Sequence, residues 1–276
     1  MNSMNLRTAV ITGGAQGLGY ACAEELAKQP LAPQNWRLIL LDIDAVKLEQ
    51  AKQQLEQNGV YVETYLIDLL QPEEVSGWLA GFCLAGWPID LLINNAGITH
   101  RSSANYTDMA VFEKIMQLNW QVPVKLTQGL LPALKAGGGT VVVVGSMAGW
   151  LPLPGRAAYC ASKAAVSQHF ETWRPELKRR GIKLLMAYPS FLHTNIENHA
   201  LGIHGQPVNT ARSTVGKVQS AKHMAQRILA ACENEKSRVW GTQLSARLGY
   251  YLWHLTPALF QRLSWKRFNE DIVRGD

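Results

Sequence analysis

Short apolar runs alternate with longer amphipathic stretches through the first two hundred of the chain's 276 residues. Six runs, at 6–12, 36–41, 61–67, 89–93, 140–144 and 183–187, are mostly apolar on consecutive rather than alternate positions. That is the pattern of parallel strands buried on both faces. Between them, 17–29, 45–57, 73–85, 109–134 and 157–180 read as helices. The alternation predicts βαβ crossovers and an α/β fold with a doubly wound parallel sheet, and a seventh short strand is expected near 238–241. No repeat, low-complexity tract or Pro/Gly/Ser linker interrupts the chain. One domain is therefore expected over 1–242, with 243–276 as a C-terminal amphipathic extension of it. The polar stretch 191–220, with Gly202, Gly205 and Pro207, breaks the rhythm and reads as a loop region before the next helix.

Composition narrows the class. At 47% hydrophobic and 17% charged residues, the chain is globular rather than disordered. Residues 1–200 carry 16 Lys/Arg and 16 Asp/Glu, whereas 201–276 carry 11 and 5, so the net charge of +6 lies in the last 76 residues. This speaks against a chain-wide nucleic-acid footprint and for something local at the C-terminal end. Cys22, Cys83, Cys160 and Cys232 are far apart, which suggests neither a disulfide framework nor a zinc site. His193, His199, His204 and His254 show no metal-ligand spacing and read as surface or loop residues; no metal is expected. The first residues lack the apolar core and cleavage site of a signal peptide. No apolar run reaches the length of a membrane span, and a cytoplasmic protein is expected.

Directly after the first strand comes Thr12-Gly13-Gly14-Ala15-Gln16-Gly17-Leu18-Gly19, leading into a helix. Glycines there let the backbone turn sharply and approach a pyrophosphate, whose charge sits at the helix N-terminus. Asp42 ends the second strand, 23 residues after Gly19, where a carboxylate accepts hydrogen bonds from an adenosine ribose and repels a 2′-phosphate. No Arg or Lys lies between Gly13 and Gly19. The expected cofactor is NAD(H), with NADP(H) disfavoured. Asp44 is expected to cap the following helix.

Tyr159 and Lys163 stand four apart in a predicted helix and share a face. An unperturbed tyrosine, with a pKa of about 10, is too weak an acid to serve as a base near neutrality. An ammonium one turn away favours the phenolate, making Tyr159 a candidate acid/base. Ser146 follows an apolar strand thirteen residues upstream, where its hydroxyl could bond a substrate oxygen. Asn94-Asn95-Ala96-Gly97 follows the fourth strand, at the carboxyl edge where such sheets bind ligands. Asn119 sits in a helical pattern that asparagine disfavours.

Together these residues, in order and at these intervals, resemble the single-domain short-chain dehydrogenase/reductase family over about 6–241. The resemblance implies a Rossmann fold with a seven-stranded parallel sheet and a catalytic tetrad. Tyr159 would be the acid/base, Lys163 would lower its pKa and hold the ribose, and Ser146 would position substrate. Asn119 would hold a water linking Lys163 to solvent. The resemblance also implies Asp68 at the adenine, Asn95 bracing the sheet above the cofactor, Thr194 near the nicotinamide carboxamide, and a homodimer or homotetramer formed through the helices of Asn119 and Tyr159. One departure stands out: Pro189-Ser190 replaces the family's usual Pro-Gly after the sixth strand.

Candidate pocket residues are Met147, Trp150, Leu151, Leu153, Thr99, His100 and the 191–220 stretch. Their apolar character leans towards a hydrophobic secondary alcohol or ketone of steroid, retinoid or lipid type, although such residues also fill space against helices. Segment 244–268 interleaves aromatic and apolar positions with Arg247, Arg262, Lys266 and Arg267, and Pro257 should break it. It reads either as an interfacial amphipathic helix giving peripheral membrane contact or as a helix packed on the substrate loop or a second subunit. The rival functions are an NADPH-dependent ketone or 3-oxoacyl reductase and a non-catalytic cofactor sensor.

Overall fold

The computed structural model describes residues 6–28, 36–193, 199–208, 214, 218–242 and 244–272. The strands are β1 (Arg7–Thr12), β2 (Trp36–Asp42), β3 (Tyr61–Leu66), β4 (Leu91–Asn94), β5 (Thr140–Val144), β6 (Lys183–Tyr188), β7 (Leu192–His193), β8 (Gln219–Ser220) and β9 (Arg238–Trp240). Seven of them form one parallel sheet in the order β3-β2-β1-β4-β5-β6-β9, while β7 and β8 make a separate parallel pair. The 191–220 stretch is thus pinned at both ends, and Leu201 bridges back to His100.

Both sheet faces are covered, which is why the strands are apolar on consecutive positions. Ala9, Ile11, Leu38, Leu40 and Val142 pack with α1 (Gly17–Ala27), α2 (Ala45–Glu56) and α8 (Ala221–Glu233). The alternate residues Val10, Ile39, Leu41, Val141 and Val143 pack with α3 (Pro72–Ala85), α5 (Val122–Gly129) and α7 (Ala157–Arg179). The crossover leaving β1 runs over the first face and the one entering β4 over the second. A crevice therefore opens beyond the carboxyl ends of these neighbouring strands. As expected, the Asp44 carboxylate caps α2, accepting the Lys47 N–H at 3.0 Å.

The single helix expected over 109–134 is instead four pieces: α4 (Met109–Met116), a π-helical turn (Gln117–Gln121), α5, and α6 (Leu131–Gly137). Pro123 and Pro132 are the cause. Pro123 has no N–H for the carbonyl of Asn119, its partner in a regular helix. The ladder widens accordingly, and the Val122 N–H reaches the carbonyl of Gln117. Asn119 therefore sits in the π turn. At the C-terminal end, Pro257 splits the tail into α9 (Leu244–Leu255) and α10 (Pro257–Phe268).

Candidate active site

The glycine turn forms one end of a cleft of about 1360 Å³ that runs along the carboxyl edge of the sheet. Gly13 and Gly17 adopt φ of +62° and +60°, a region that side chains avoid. A Cβ on Gly19 would collide with the carbonyl oxygen of Gly13, and one on Gly13 would lie 2.9 Å from Asn95 Nδ2. Gln16 precedes α1 without capping it through its side chain, and no acid occupies the first turn. The partial positive charge of this helix end thus faces the cleft beside Gln16, Gly17 and Leu18. This narrow, uncapped cradle fits a dinucleotide pyrophosphate.

Asp42 is buried and held from three sides. Its Oδ2 accepts the Ala15 N–H at 3.0 Å, and its Oδ1 accepts the N–H groups of Ile43 at 2.8 Å and Asp44 at 3.2 Å. The carboxylate lines the cleft with its orientation fixed. Asp68, further along the same wall, accepts the Leu70 N–H at 3.0 Å. Asn95 ties β1 to β4: its Nδ2 donates to the carbonyls of Thr12 and Gly13, while the N–H groups of Asn95 and Ala96 both donate to Thr12 Oγ1 at 3.0 Å. Ala96 and Gly97 line the cleft next to it.

Tyr159, Lys163 and Ser146 all line the cleft. Lys163 is buried, its Nζ donates to the Val144 carbonyl at 2.8 Å, and it lies 5.9 Å from the centre of the Tyr159 ring. Burial lowers its pKa to about 8. Ser146 accepts the Ala148 N–H at 3.1 Å, opening a short 3₁₀ turn at Met147–Gly149. Asn119 pairs with one peptide edge, accepting the Ile98 N–H and donating to the Ile98 carbonyl, both at 2.9 Å. It also donates to Ser162 Oγ, which donates to the Tyr159 carbonyl. This chain links the loop after β4 to the backbone of the tyrosine. The Asn119 side chain is spent on that brace, so a relay water, as the resemblance implies, would fall to its main chain. Thr194 lies outside the described residues.

Several pocket expectations need correction. Met147, Leu151 and Leu153 line the cleft, but Trp150 turns away to pack between Tyr188 and Trp240, with centroids at 4.3 and 4.4 Å. Thr99 and His100 are also buried away from it. His100 Nε2 accepts the Ala158 N–H at 3.0 Å, and its Nδ1 meets Ser102 Oγ at 3.0 Å. Burial, reinforced by the charge of Arg156, lowers the His100 pKa to about 4. Ser190 does not need the backbone freedom of glycine, because among the described non-glycine residues only Glu235 has positive φ. Arg156 lines the cleft and donates to Thr99 Oγ1 at 3.2 Å. Its position three before Tyr159 was the signal by which it could have been found. The other cleft wall comes from α9 and α10, through Leu248, Leu252, Leu255, Phe260 and Leu263.

A crevice at this switch point, with a glycine cradle at a helix N-terminus, is built to take a dinucleotide, which sets the molecule among the Rossmann-type dinucleotide-binding folds. The short chain dehydrogenase family model matches residues 7–201, and the chain belongs to that family of nicotinamide-cofactor enzymes. It is 33% identical over 269 residues to Dehydrogenase/reductase SDR family member 7B of Bos taurus, covering 95% of this chain and 81% of the relative. A short-chain dehydrogenase from Sphingobium yanoikuyae, solved in complex with NADPH, matches with a TM-score of 0.75 at 26% identity, over 94% of this chain and 95% of that one. A short chain dehydrogenase/reductase from Burkholderia phymatum, in complex with NAD, matches with a TM-score of 0.78 at 22% identity, over 94% and 96%.

Proposed function

We propose that the chain interconverts a hydrophobic secondary alcohol and its ketone with NAD(H), using Tyr159 as acid/base. The observation that carries this reading is the shared cleft: Tyr159, the buried Lys163 and Ser146 stand on the same wall-to-wall crevice as the glycine turn and Asp42. When bound, the nicotinamide takes up or supplies the hydride. Below about pH 8 the Lys163 ammonium is charged, and its positive charge one helical turn from Tyr159 favours phenolate. The phenolate takes the alcohol proton, and the phenol returns it to the ketone oxygen in reverse. Ser146 Oγ already accepts the Ala148 N–H, so its own proton is left to donate to the substrate oxygen.

The fixed Asp42 carboxylate favours NAD(H), since a 2′-phosphate brought to it would meet a like charge. One observation favours NADP(H): the Lys47 ammonium lines the same end of the cleft, although Asp44 holds it at 2.8 Å. The apolar wall of Leu151, Leu153 and α9–α10 supports a hydrophobic substrate.

Titration with NADH and NADPH, followed by energy transfer from the nine tryptophans, tests the cofactor. Tighter NADH binding is expected, and a preference for NADPH would overturn the Asp42 argument. Tyr159→Phe should lower turnover by at least about a hundredfold with cofactor affinity nearly unchanged. Unimpaired turnover would remove Tyr159 from the chemistry.

A further inference from the structure

Among the described residues, seven of the fourteen large apolar side chains left exposed lie on the two C-terminal helices, and the other seven are scattered from Ile43 to Met109. Leu248, Tyr251 and Leu255 on α9, and Leu259 and Leu263 on α10, are 47% to 77% exposed. Their spacing is not random. On α10, Phe260, Ser264 and Phe268 are the buried positions. The opposite stripe is Leu259, Arg262, Leu263 and Lys266, all exposed, with Trp265 on its flank. On α9, Leu248, Tyr251, Leu252 and Leu255 recur at i, i+3, i+4 and i+7, one helical face, and all four line the cleft. Leu248, Tyr251, Leu255 and Leu263, four of those five exposed apolar residues, therefore form the rim of the cleft itself, and Leu259 lies just outside it.

Charge says what covers this rim. Residues 244–268, which hold α9 and α10, contain no Asp or Glu and four cations, Arg247, Arg262, Lys266 and Arg267. A cation-bearing, acid-free apolar face matches a surface that is anionic outside and apolar beneath. At twelve residues each, α9 and α10 are about 18 Å long, too short to cross a bilayer but suited to lying in its interface. Among the described residues no helix is long and apolar enough to span a membrane.

We propose that the α9–α10 hairpin docks on an anionic lipid bilayer and presents the cleft mouth to it, so that a lipophilic substrate passes between bilayer and site without crossing water. The substrate route rests on the proposed dehydrogenase function; the docking itself does not. Arg262 and Lys266 supply the electrostatic attraction, each contributing about fivefold in affinity near an anionic surface, and Leu259 supplies apolar contact. None of these three lines the cleft.

The test is flotation of the full chain with vesicles of phosphatidylcholine alone or mixed with phosphatidylserine. Binding to the anionic vesicles is expected, weakening as salt rises. Arg262→Glu with Lys266→Glu should lower that binding at least about twentyfold. Leu259→Ser should weaken it further, with cofactor binding and turnover of a water-soluble alcohol unchanged. Absence of binding, or equal binding to neutral vesicles without salt dependence, would overturn the proposal. So would a chain that ignores vesicles and self-associates through this face, detected as a dimer that Leu259→Ser dissociates. A chain that floats but turns over no alcohol would leave the docking standing and count against the dehydrogenase reading alone.

Discussion

His100 Nε2 accepts a hydrogen bond from the backbone N–H of Ala158, 58 residues later, at 3.0 Å. An imidazole thus caps the first turn of α7, next to the candidate acid/base Tyr159. Only the neutral ring has that acceptor.

This makes the fold sensitive to acid. His100 has a folded pKa of about 4 against about 6.5 when unfolded, so the unfolded chain binds the extra proton in between. The stability due to the neutral ring is fully present above pH 6.5 and is lost as pH falls towards 4, by about 3 kcal/mol. A pH series of thermal melts should show this loss. His100→Gln should flatten part of the acid slope while lowering stability at pH 7 by about 1–3 kcal/mol.

Lys163 sets function against stability. Its pKa of about 8 in the fold lies below the ordinary lysine value of about 10.4. The unfolded chain therefore holds more protons between those values, and stability from this group rises with pH across that window and is lost as pH falls through 8. At neutral pH the cofactor-free fold carries the cost of a buried ammonium. Lys163→Met should raise the melting temperature of the cofactor-free protein at pH 7 while cutting turnover by about a hundredfold or more. A lowered melting temperature would mean that the bond to the Val144 carbonyl outweighs the burial.

Gly19→Ala should cost about 1–3 kcal/mol of stability through overpacking, because its Cβ would meet the Gly13 carbonyl. It should also abolish measurable cofactor binding by spreading the turn from α1. Calorimetric melting and cofactor titration check the two effects separately.

Asp42→Ala removes both a charge and the acceptor for Ala15. NADH should bind more weakly, and the NADPH-to-NADH affinity ratio should rise at least about tenfold, a change of roughly 1.4 kcal/mol, once the like charge facing a 2′-phosphate is gone. An unchanged ratio in paired titrations would show that another group discriminates.

The strands and most helices were legible because their signals are local. β2 and β5 read as buried parallel strands from their own apolar runs, and the glycine turn from eight consecutive residues. The long helix expected over 109–134 was misread because its apolar period continues across a break that Pro123 makes in hydrogen bonding. Thr99, His100 and Trp150 were expected in the pocket because they follow strand ends. Whether such a residue faces the cleft depends on partners far along the chain, such as Arg156 for Thr99 and Trp240 for Trp150.

The sequence alone determined the doubly wound sheet, the cradle at Gly13–Gly19 and the Tyr159–Lys163 pair, since period, glycine placement and i,i+4 spacing act within a few residues. Tertiary structure alone decided that Lys163 is buried, that Asn119 braces Ile98 against Ser162, that His100 caps α7, and that α9 and α10 wall the cleft. Those outcomes depend on which distant segments exclude water from one another, and desolvation belongs to the assembled surfaces rather than to any short stretch of chain.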